Sequence, residues 1–443
     1  MLKKINFNEF EKVTKQEWLS QIEKDLKGKP LSILEKEIEN GLHINSINSH
    51  EDTFVAKDLG RDSGVWNYAQ TFTEGAKNED ILENLGRGVN EIFIPFSKEI
   101  YNQFKGVNQE FITSNILVNS FDEVKDLKIQ NGAFVNDIIN KSIETGENIT
   151  DETLSNWKEG FLKASKKSPN LKTLCLDNLH LQESGANATL QVASIFSAFA
   201  EYLNLLQEEE IEPALNSAFV RIGLSKNYFL EIAKIRAIQF LWENFCKAYT
   251  DNPINKLYIF AQTSTSDLTR FDDKTNLLRL STQAMSGILG GAQAVSILPF
   301  DTLNQTNSNL AERASINMHH LFKEEANLHR VSDPAKGSYF VENLTQELAN
   351  SSWSKFLEIE HEGGFIHGLK DGWIQHEVLG TATEKVSNVN SGKSTIIGVN
   401  KFENNLVQNP KVNPNQEEDS FTPIVKLPKV NYASSVEQEK SEQ

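Results

Sequence analysis

Residues 260–301, FAQTSTSDLTRFDDKTNLLRLSTQAMSGILGGAQAVSILPFD, give the clearest indication of the fold. A β-rich start is followed there by a polar turn, an amphipathic helix, a Gly-Gly break and a second strand. Asp272 and Asp273 are expected to open the helix, and Gly290-Gly291 to close it. This strand–helix–strand order predicts an α/β fold.

Short β-rich runs alternate with helical sequence along most of the chain. The runs are EIFIPF, SNILVNS, GAFVND, LKTLCLD, AFVRIG, KLYIFAQ, AQAVSILPF and the weaker LHRVSD. The longest helical pattern covers residues 224–245, where Phe229, Ile232 and Trp242 share or border one apolar face. About eight strand–helix alternations predict an α/β (β/α)₈ TIM barrel. A doubly wound open sheet is the alternative, because the pattern alone does not show closure.

Composition narrows the classes of partner and compartment. The 443 residues carry a formal charge of −17, which disfavours binding to nucleic acid or to an anionic membrane. No apolar run reaches the roughly 18 residues that a membrane span needs. Cys175 and Cys246 form no CxxC and no zinc pattern, so neither a disulfide framework nor a metal site is expected. A reducing, cytoplasmic location follows as the expectation.

Three segments of different character divide the chain. Residues 1–55 are polar, with helical spacing in TKQEWLSQIEKDLKG, and are interpreted as an N-terminal arm that contacts another subunit. Residues 56–404 hold the barrel pattern. Residues 405–443 are interpreted as an extended, partly disordered tail, in which the apolar island FTPIVKLPKV is a second candidate interface.

Neutral polar side chains follow two of the predicted strands. His180 and Gln182 come directly after LKTLCLD, and Gln262, Thr263 and Ser264 come at the end of KLYIFAQ. Side chains at the carboxyl ends of barrel strands point into the mouth where ligands bind. Hydroxyls and amides there suit carbonyl or amide recognition, although the same residues also serve as ordinary loop polar groups.

One local match to a nucleotide site is misleading. SGKST, residues 391–395, resembles the end of a phosphate-binding loop, but Ser387 stands where that loop needs its first glycine. The sequence therefore predicts no nucleotide P-loop.

A series of elements in the right order resembles the methylmalonyl-CoA mutase family of cobalamin-dependent acyl-CoA mutases. They are LHLQESGA, NYFLEIAKIRAIQFLW, QTSTSDLTR, GGAQAVS, RVSDPAKGSYFVENLTQELA and SGKSTIIGVNKFE. The resemblance implies a barrel threaded by the pantetheine arm of an acyl-CoA. It also implies adenosylcobalamin held over the mouth by a separate flavodoxin-like domain, and a radical rearrangement of the carbon skeleton.

Three departures from the family pattern concern its chemistry. Phe260 stands where the family has the histidine that hydrogen-bonds the substrate thioester carbonyl, and a phenyl ring donates no such bond. The polar loop after the family's first strand is replaced by PFSKEIYNQFKG. No histidine lies in an Asp-x-His-x-x-Gly, the family's cobalt-ligand motif, so no flavodoxin-like cobalamin domain is expected.

Other positions match the family and are interpreted as vestigial. Tyr68 and Gln182 correspond to positions near the substrate, and His180, Gln262, Thr263 and Ser264 join them as pocket candidates. Gln293 and Glu342 correspond to positions that face cobalamin.

The resemblance and the departures together predict a non-catalytic barrel subunit that supports a larger, catalytic mutase subunit in a heterodimer. By this prediction the chain itself binds no cofactor and no metal, and the large subunit carries adenosylcobalamin. The alternative is an active acyl-CoA mutase barrel that uses a cobalamin-binding domain supplied by another polypeptide.

Overall fold

The computed structural model describes residues 11–39, 41–44, 47–49, 51–52, 59, 61–304, 308–403 and 422–441. Ten strands occur in these ranges. The first two, β1 (Lys36–Glu39) and β2 (Leu42–Ile44), form a small antiparallel hairpin. The other eight are β3 (Asn67–Thr71), β4 (Glu91–Pro95), β5 (Thr113–Leu117), β6 (Gly132–Val135), β7 (Leu174–Asp177), β8 (Ala218–Leu224), β9 (Tyr258–Thr263) and β10 (Ala294–Ser296).

Helices follow nearly every barrel strand and also extend the domain at both ends. In chain order they are α1 (Lys15–Asp25), α2 (Asn78–Gly86), α3 (Ile100–Gln103), α4 (Ile138–Thr145), α5 (Asp151–Lys167), α6 (Leu179–Glu183), α7 (Ala188–Leu203), α8 (Glu208–Asn216), α9 (Tyr228–Cys246), α10 (Asn276–Gly290), α11 (Asn309–His320), α12 (Tyr339–His361), α13 (Phe365–Asp371), α14 (Trp373–Asn390) and α15 (Ser434–Ser441).

The eight long-sheet strands are all parallel and form a nearly closed barrel. Their order is β6-β5-β4-β3-β10-β9-β8-β7, so each strand lies beside its neighbour in the chain. The two ends of the sheet meet at Lys172, whose N–H donates to the Gly132 carbonyl (2.9 Å) and whose carbonyl accepts from the Phe134 N–H (2.9 Å). This order confirms the predicted (β/α)₈ barrel and rules out a doubly wound sheet, whose strand order reverses partway.

The first barrel strand was missed in the sequence, and the last proposed strand is wrong. Residues 67–71, NYAQT, form β3, but they show no clean alternation of polar and apolar side chains and contain no β-branched apolar residue that would mark them as a strand. The run LHRVSD instead contains a 3₁₀ turn at Leu328–Arg330.

The helices around the decisive stretch agree closely with their predicted bounds. α10 ends at Gly291, whose φ of 100° is the left-handed conformation that favours glycine at a helix end. Its start differs from the prediction, because Asp273–Thr275 form a 3₁₀ turn and the α-helix begins at Asn276. α9 buries Ile232 and Trp242 as expected, whereas Phe229 on its first turn is 49% exposed.

The C-terminal segment differs most from expectation. Residues 422–441, here called the strap, lie across the loops that follow β6, β7 and β9, with Leu427 N–H bonded to the Ile143 carbonyl (3.0 Å) and Tyr432 N–H to the Ser266 carbonyl (3.0 Å). Ile424 and Leu427, from the apolar island, are buried against this chain's own barrel. The predicted disordered end contains the helix α15. Residues 405–421 and 442–443 of the predicted tail lie outside the described ranges.

Candidate functional site at the carboxyl end of the barrel

A cluster of apolar side chains fills the middle of the barrel. Alternate residues of each strand point inwards. The inward-facing residues form one buried cluster: Ala69, Phe93, Ala133, Val135, Cys175, Phe219, Phe260 and Ala294. The ring of Phe260 has no exposed surface and lies 5.4 Å from that of Phe93 and 6.2 Å from that of Phe219, centroid to centroid.

A polar layer lies below this cluster, at the amino ends of the strands. The buried Glu91 carboxylate accepts hydrogen bonds from Asn67 Nδ2 (2.8 Å), Asn115 Nδ2 (2.7 Å) and the Tyr258 hydroxyl (2.6 Å). Burial raises the pKa of Glu91, while these three donors act in the opposite direction. All of the partners come from barrel strands, so the layer closes the lower part of the axis.

An arginine crosses the barrel above the aromatic rings. The Arg221 guanidinium carbon lies 4.1 Å from the centroid of the Phe93 ring, within the range of a cation–π contact. Its Nη1 donates to Asp177 Oδ2 (2.9 Å) and its Nη2 to Gln262 Oε1 (2.7 Å). This charged group is therefore held by partners from three different strands.

Hydroxyl groups extend this network to the remaining side of the barrel. Thr71 Oγ1 donates to Gln262 Oε1 (2.8 Å) and lies 3.1 Å from Ser296 Oγ. We call Phe93, Arg221, Phe260 and Gln262 the interior plug. Each of the four is at most 7% exposed, so the axis of the barrel is packed with side chains at this level.

Of the residues predicted from the sequence, Gln262 belongs to the plug, and its two neighbours do not. Thr263 Oγ1 accepts from the Leu298 N–H (2.9 Å), and the Ser264 N–H donates to Gln283 Oε1 (3.0 Å). Both are fully buried, and these bonds hold the loop after β9.

His180 and Gln182 lie on α6, just outside the mouth. His180 Nε2 is 2.7 Å from the Leu427 carbonyl of the strap. Gln182 is 3% exposed, its Oε1 has no hydrogen-bond partner, and its side chain lines a cavity of about 440 Å³ beside the barrel. The strap thus covers His180, and the cavity lies next to Gln182.

Tyr68 lies on the outer face of β3 and not in the barrel. Its ring stacks on that of His319 with centroids 4.7 Å apart, and Trp66 Nε1 donates to His319 Nδ1 (3.1 Å). Burial lowers the pKa of His319 to about 3, and the nearby His320 acts in the same direction. Burial raises the pKa of Tyr68 to about 12.

The two predicted cobalamin-facing residues lie on different elements and have different partners. Gln293 precedes β10 at the amino end of the barrel, where its Oε1 accepts from the Ile259 N–H (2.8 Å). Glu342 begins α12 and is held by Arg236 Nη2 (2.9 Å) and the Gly337 N–H (3.0 Å), while the same arginine also pairs with Asp333. These contacts account for both side chains structurally.

Arg221 and Asp177 are the site residues that sequence reasoning overlooked. The sequence did contain a signal for them: Arg221 lies in the middle of the apolar strand AFVRIG. A charged side chain inside such a strand needs a buried partner of opposite charge, which predicts an ion pair in the barrel.

Within the described ranges, histidine, cysteine, aspartate and glutamate side chains form no group of three or more that could hold a metal ion. In the same ranges, none of the helices is long and apolar enough to cross a membrane.

The fold and the site together define a (β/α)₈-barrel protein whose axis is filled by side chains. The profile of the methylmalonyl-CoA mutase family matches residues 108–438, which is most of the chain. The chain therefore belongs to the methylmalonyl-CoA mutase family.

Named relatives include proteins described as small and as large subunits. The methylmalonyl-CoA mutase small subunit of Porphyromonas gingivalis is 27% identical, over 90% of this chain and 71% of its own length. The small subunit of Streptomyces virginiae is 32% identical over 54% of this chain and 39% of its own length. The large subunit of S. virginiae is 31% identical over 55% of this chain and 34% of its own length, so much of both S. virginiae proteins has no counterpart in the match.

Proposed function

We propose that this chain is the small, non-catalytic subunit of a heterodimeric methylmalonyl-CoA mutase, which interconverts methylmalonyl-CoA and succinyl-CoA. The observation that carries the proposal is the interior plug. The family resemblance implies a pantetheine arm threaded along the barrel axis, and here Phe93, Arg221 and Phe260 occupy that axis.

The chemistry of the plug supports the same conclusion. A barrel that acts on a thioester needs a donor beside the carbonyl oxygen, and Phe260 offers only a ring edge. Displacing Arg221 to admit a ligand would break its bonds to Asp177 and Gln262 and leave a charge without partners in the interior. The plug is therefore expected to stay in place when an acyl-CoA is present.

The residues of this chain do not fit adenosylcobalamin. Gln293 and Glu342, the two candidates for facing the corrin, are engaged at the amino end of the barrel and with Arg236. None of the nine histidines lies in an Asp-x-His-x-x-Gly. In the proposed complex the large subunit holds the cofactor.

The N-terminal arm is our proposed contact with the large subunit. α1 buries none of its residues in this chain and exposes Trp18, and the neighbouring Val13 is 63% exposed. Large apolar side chains exposed on a short helix are typical of protein–protein contacts. We retain the proposed division into an arm (1–55), a barrel (56–404) and a tail (405–443), with the strap docked on the barrel.

Co-expression with a large mutase subunit tests the proposal. We expect the two chains to co-purify at equal stoichiometry and to isomerise methylmalonyl-CoA when adenosylcobalamin is added, whereas this chain alone neither turns over substrate nor binds the cofactor. A variant lacking residues 1–30 measures the contribution of the arm, with Lys163→Met on the exposed face of α5 as a control.

The alternative, an active barrel served by a separate cobalamin-binding protein, is tested in the same assay. Turnover by this chain with such a protein and without a large subunit would overturn our proposal. The variant Phe260→His is tested in the same assay. We expect it to have no mutase activity, because Phe93 and Arg221 still fill the barrel axis.

A further inference from the structure

The helix α6 lies across the carboxyl end of β8, at the mouth of the barrel. Phe219, Arg221 and Gly223 alternate along β8, so all three face the barrel axis. A Cβ atom on Gly223 would lie 2.4 Å from Gln182 Oε1 and 3.0 Å from Leu179 Cδ1, and both of these residues belong to α6. Two side chains of α6 therefore enter the barrel mouth beside Gly223, about 7 Å further along β8 than Arg221.

Gln182 and Leu179 add a level to the packed axis, above the interior plug. Each is at most 6% exposed. Within the described chain, Gln182 Oε1 accepts no hydrogen bond, so this oxygen does not fasten α6 to β8. Isolated helices shorter than about 12 residues are marginal in water, and α6 has only 5 residues. Its place in the mouth therefore depends on the segments that contact it.

The strap contacts α6 near both of its ends. The Leu427 carbonyl lies 2.7 Å from Nε2 of His180, the second residue of the helix. On the last residue, Glu183, the carbonyl accepts from the Val430 N–H (2.7 Å) and Oε2 pairs with Lys429 Nζ (2.9 Å). The strap therefore covers the outer side of α6, while the inner side faces β8.

The carboxylate of Glu183 links the docking of the strap to the position of α6. It is buried, and its Oε1 accepts from the hydroxyl (3.0 Å) and the N–H (3.4 Å) of Thr265 in the loop after β9. Burial acts to raise the pKa of Glu183, but the ammonium group of Lys429 lowers it below its ordinary value. If the strap detaches, Lys429 leaves with it, and the carboxylate loses the ammonium group that compensates its charge. Hydration of this carboxylate then favours movement of α6 out of the mouth.

We infer that α6 is a lid on the barrel mouth and that the strap holds this lid closed. While the strap is docked, Gln182 and Leu179 fill the mouth above Arg221. When the strap detaches, α6 moves outwards with Glu183, and the mouth opens as far down as the interior plug. A ligand that enters the mouth must therefore displace the strap first. The closure does not depend on the mutase proposal, because no part of it requires turnover.

Thiol labelling at position 182 of the full-length chain measures the opening of the lid. Gln182→Cys places a smaller side chain beside Gly223 and removes no hydrogen bond of Oε1. A buried thiol reacts with iodoacetamide only when it becomes exposed, and mass spectrometry of the peptides separates the sites. Cys246, buried at the end of α9 in the outer helical layer, reports opening elsewhere in the same molecules.

Addition of Leu427→Asp, which places a charge at a buried position of the strap, should release the lid. We expect labelling at position 182 to become at least about tenfold faster, and labelling of Cys246 to change by less than about twofold.

Two milder substitutions on the strap form a matched pair in the same Gln182→Cys protein. Lys429→Met removes the ammonium partner of Glu183 and should speed labelling at position 182 about threefold. Lys426→Met, at an exposed position three residues earlier, should leave the labelling rate unchanged.

Hydrogen exchange at the Val430 and Tyr432 amides, which bond to α6 and to the loop after β9, shows whether the strap has detached. Unchanged labelling at position 182 in a Leu427→Asp protein whose strap amides exchange freely overturns the inference. Equal acceleration at position 182 and at Cys246 also overturns it, because the strap would then stabilise the whole fold and not the lid. If Leu427→Asp does not fold, the matched pair decides, and equal labelling of its two members refutes the lid.

Discussion

Replacement of His319 by asparagine should remove a large part of the acid sensitivity of this fold. His319 is 2% exposed, accepts from Trp66 Nε1 through Nδ1, and has no hydrogen-bond partner at Nε2. Because Nδ1 is the acceptor, Nε2 carries the proton of the neutral ring, and a second proton at Nδ1 would break the bond from Trp66 and place an uncompensated charge in the interior. Asparagine keeps an acceptor for the tryptophan and cannot be protonated in this range.

The direction and size of the change in unfolding free energy with pH follow from the lowered pKa of His319. Above pH 6.5 the imidazole is neutral in the folded and unfolded states, so it contributes no pH dependence. Below pH 6.5 the unfolded chain binds a proton that the folded chain refuses until about pH 3. Stability is lost as the pH falls, at up to about 1.4 kcal/mol per pH unit, which amounts to about 1.5 kcal/mol between pH 6.5 and 5 because half of the unfolded imidazole is already protonated at pH 6.5.

Urea unfolding at pH 7.5, 6.5, 5.5 and 5.0 measures the contribution of His319 to the pH dependence of stability. The wild-type free energy of unfolding should fall by about 1.5 kcal/mol more than that of His319→Asn between pH 6.5 and 5.0. His361→Asn, at an exposed position on α12, should keep the wild-type slope. Charged neighbours such as Lys323 and Glu324 are common to all three proteins. Parallel plots of unfolding free energy against pH for wild type and His319→Asn would show that His319 is not the source of the acid sensitivity.

Three further perturbations probe the packing. Arg236→Met leaves two buried carboxylates unpaired and should cost about 3–5 kcal/mol in chemical unfolding, against under about 1 kcal/mol for Lys247→Met at the exposed cap residue that follows the same helix. Phe260→Ala should cost about 3–5 kcal/mol and gain no mutase activity; a restored activity would contradict the proposed role of the plug. Glu437→Ala should speed amide hydrogen exchange at Arg270 and Phe271, because Glu437 accepts hydrogen bonds from both of these amides and from the Thr269 hydroxyl; an unchanged exchange rate would count against this anchor.

Periodicity predicted the barrel well because most of its strands are short apolar runs separated by helices. β3 escaped this test because its inward positions, Asn67 and Thr71, bond to Glu91 and Gln262 on other strands. These two positions are polar because their hydrogen-bond partners lie on strands distant in the chain. A search for local runs of apolar residues therefore does not detect β3.

The site was harder to predict because its residues meet only after the barrel closes. The substitution at Phe260 was evident from the sequence, but its packing against Phe93 and Phe219 joins three strands. The contacts of Gln293 and Glu342 depend likewise on partners distant in sequence. Local sequence identified the family of the chain, and tertiary contacts decided which of its polar residues share a site.

The strap has a consequence for the order in which the protein folds. Leu427 bonds to a histidine 247 residues earlier, and Glu437 to a threonine 168 residues earlier. Contacts of such long sequence separation carry a large loop-closure entropy unless the intervening chain is already ordered. We therefore expect the strap to dock after the barrel has formed, as a slow final phase of refolding, and to be the first part of the barrel mouth to detach when the native protein opens locally.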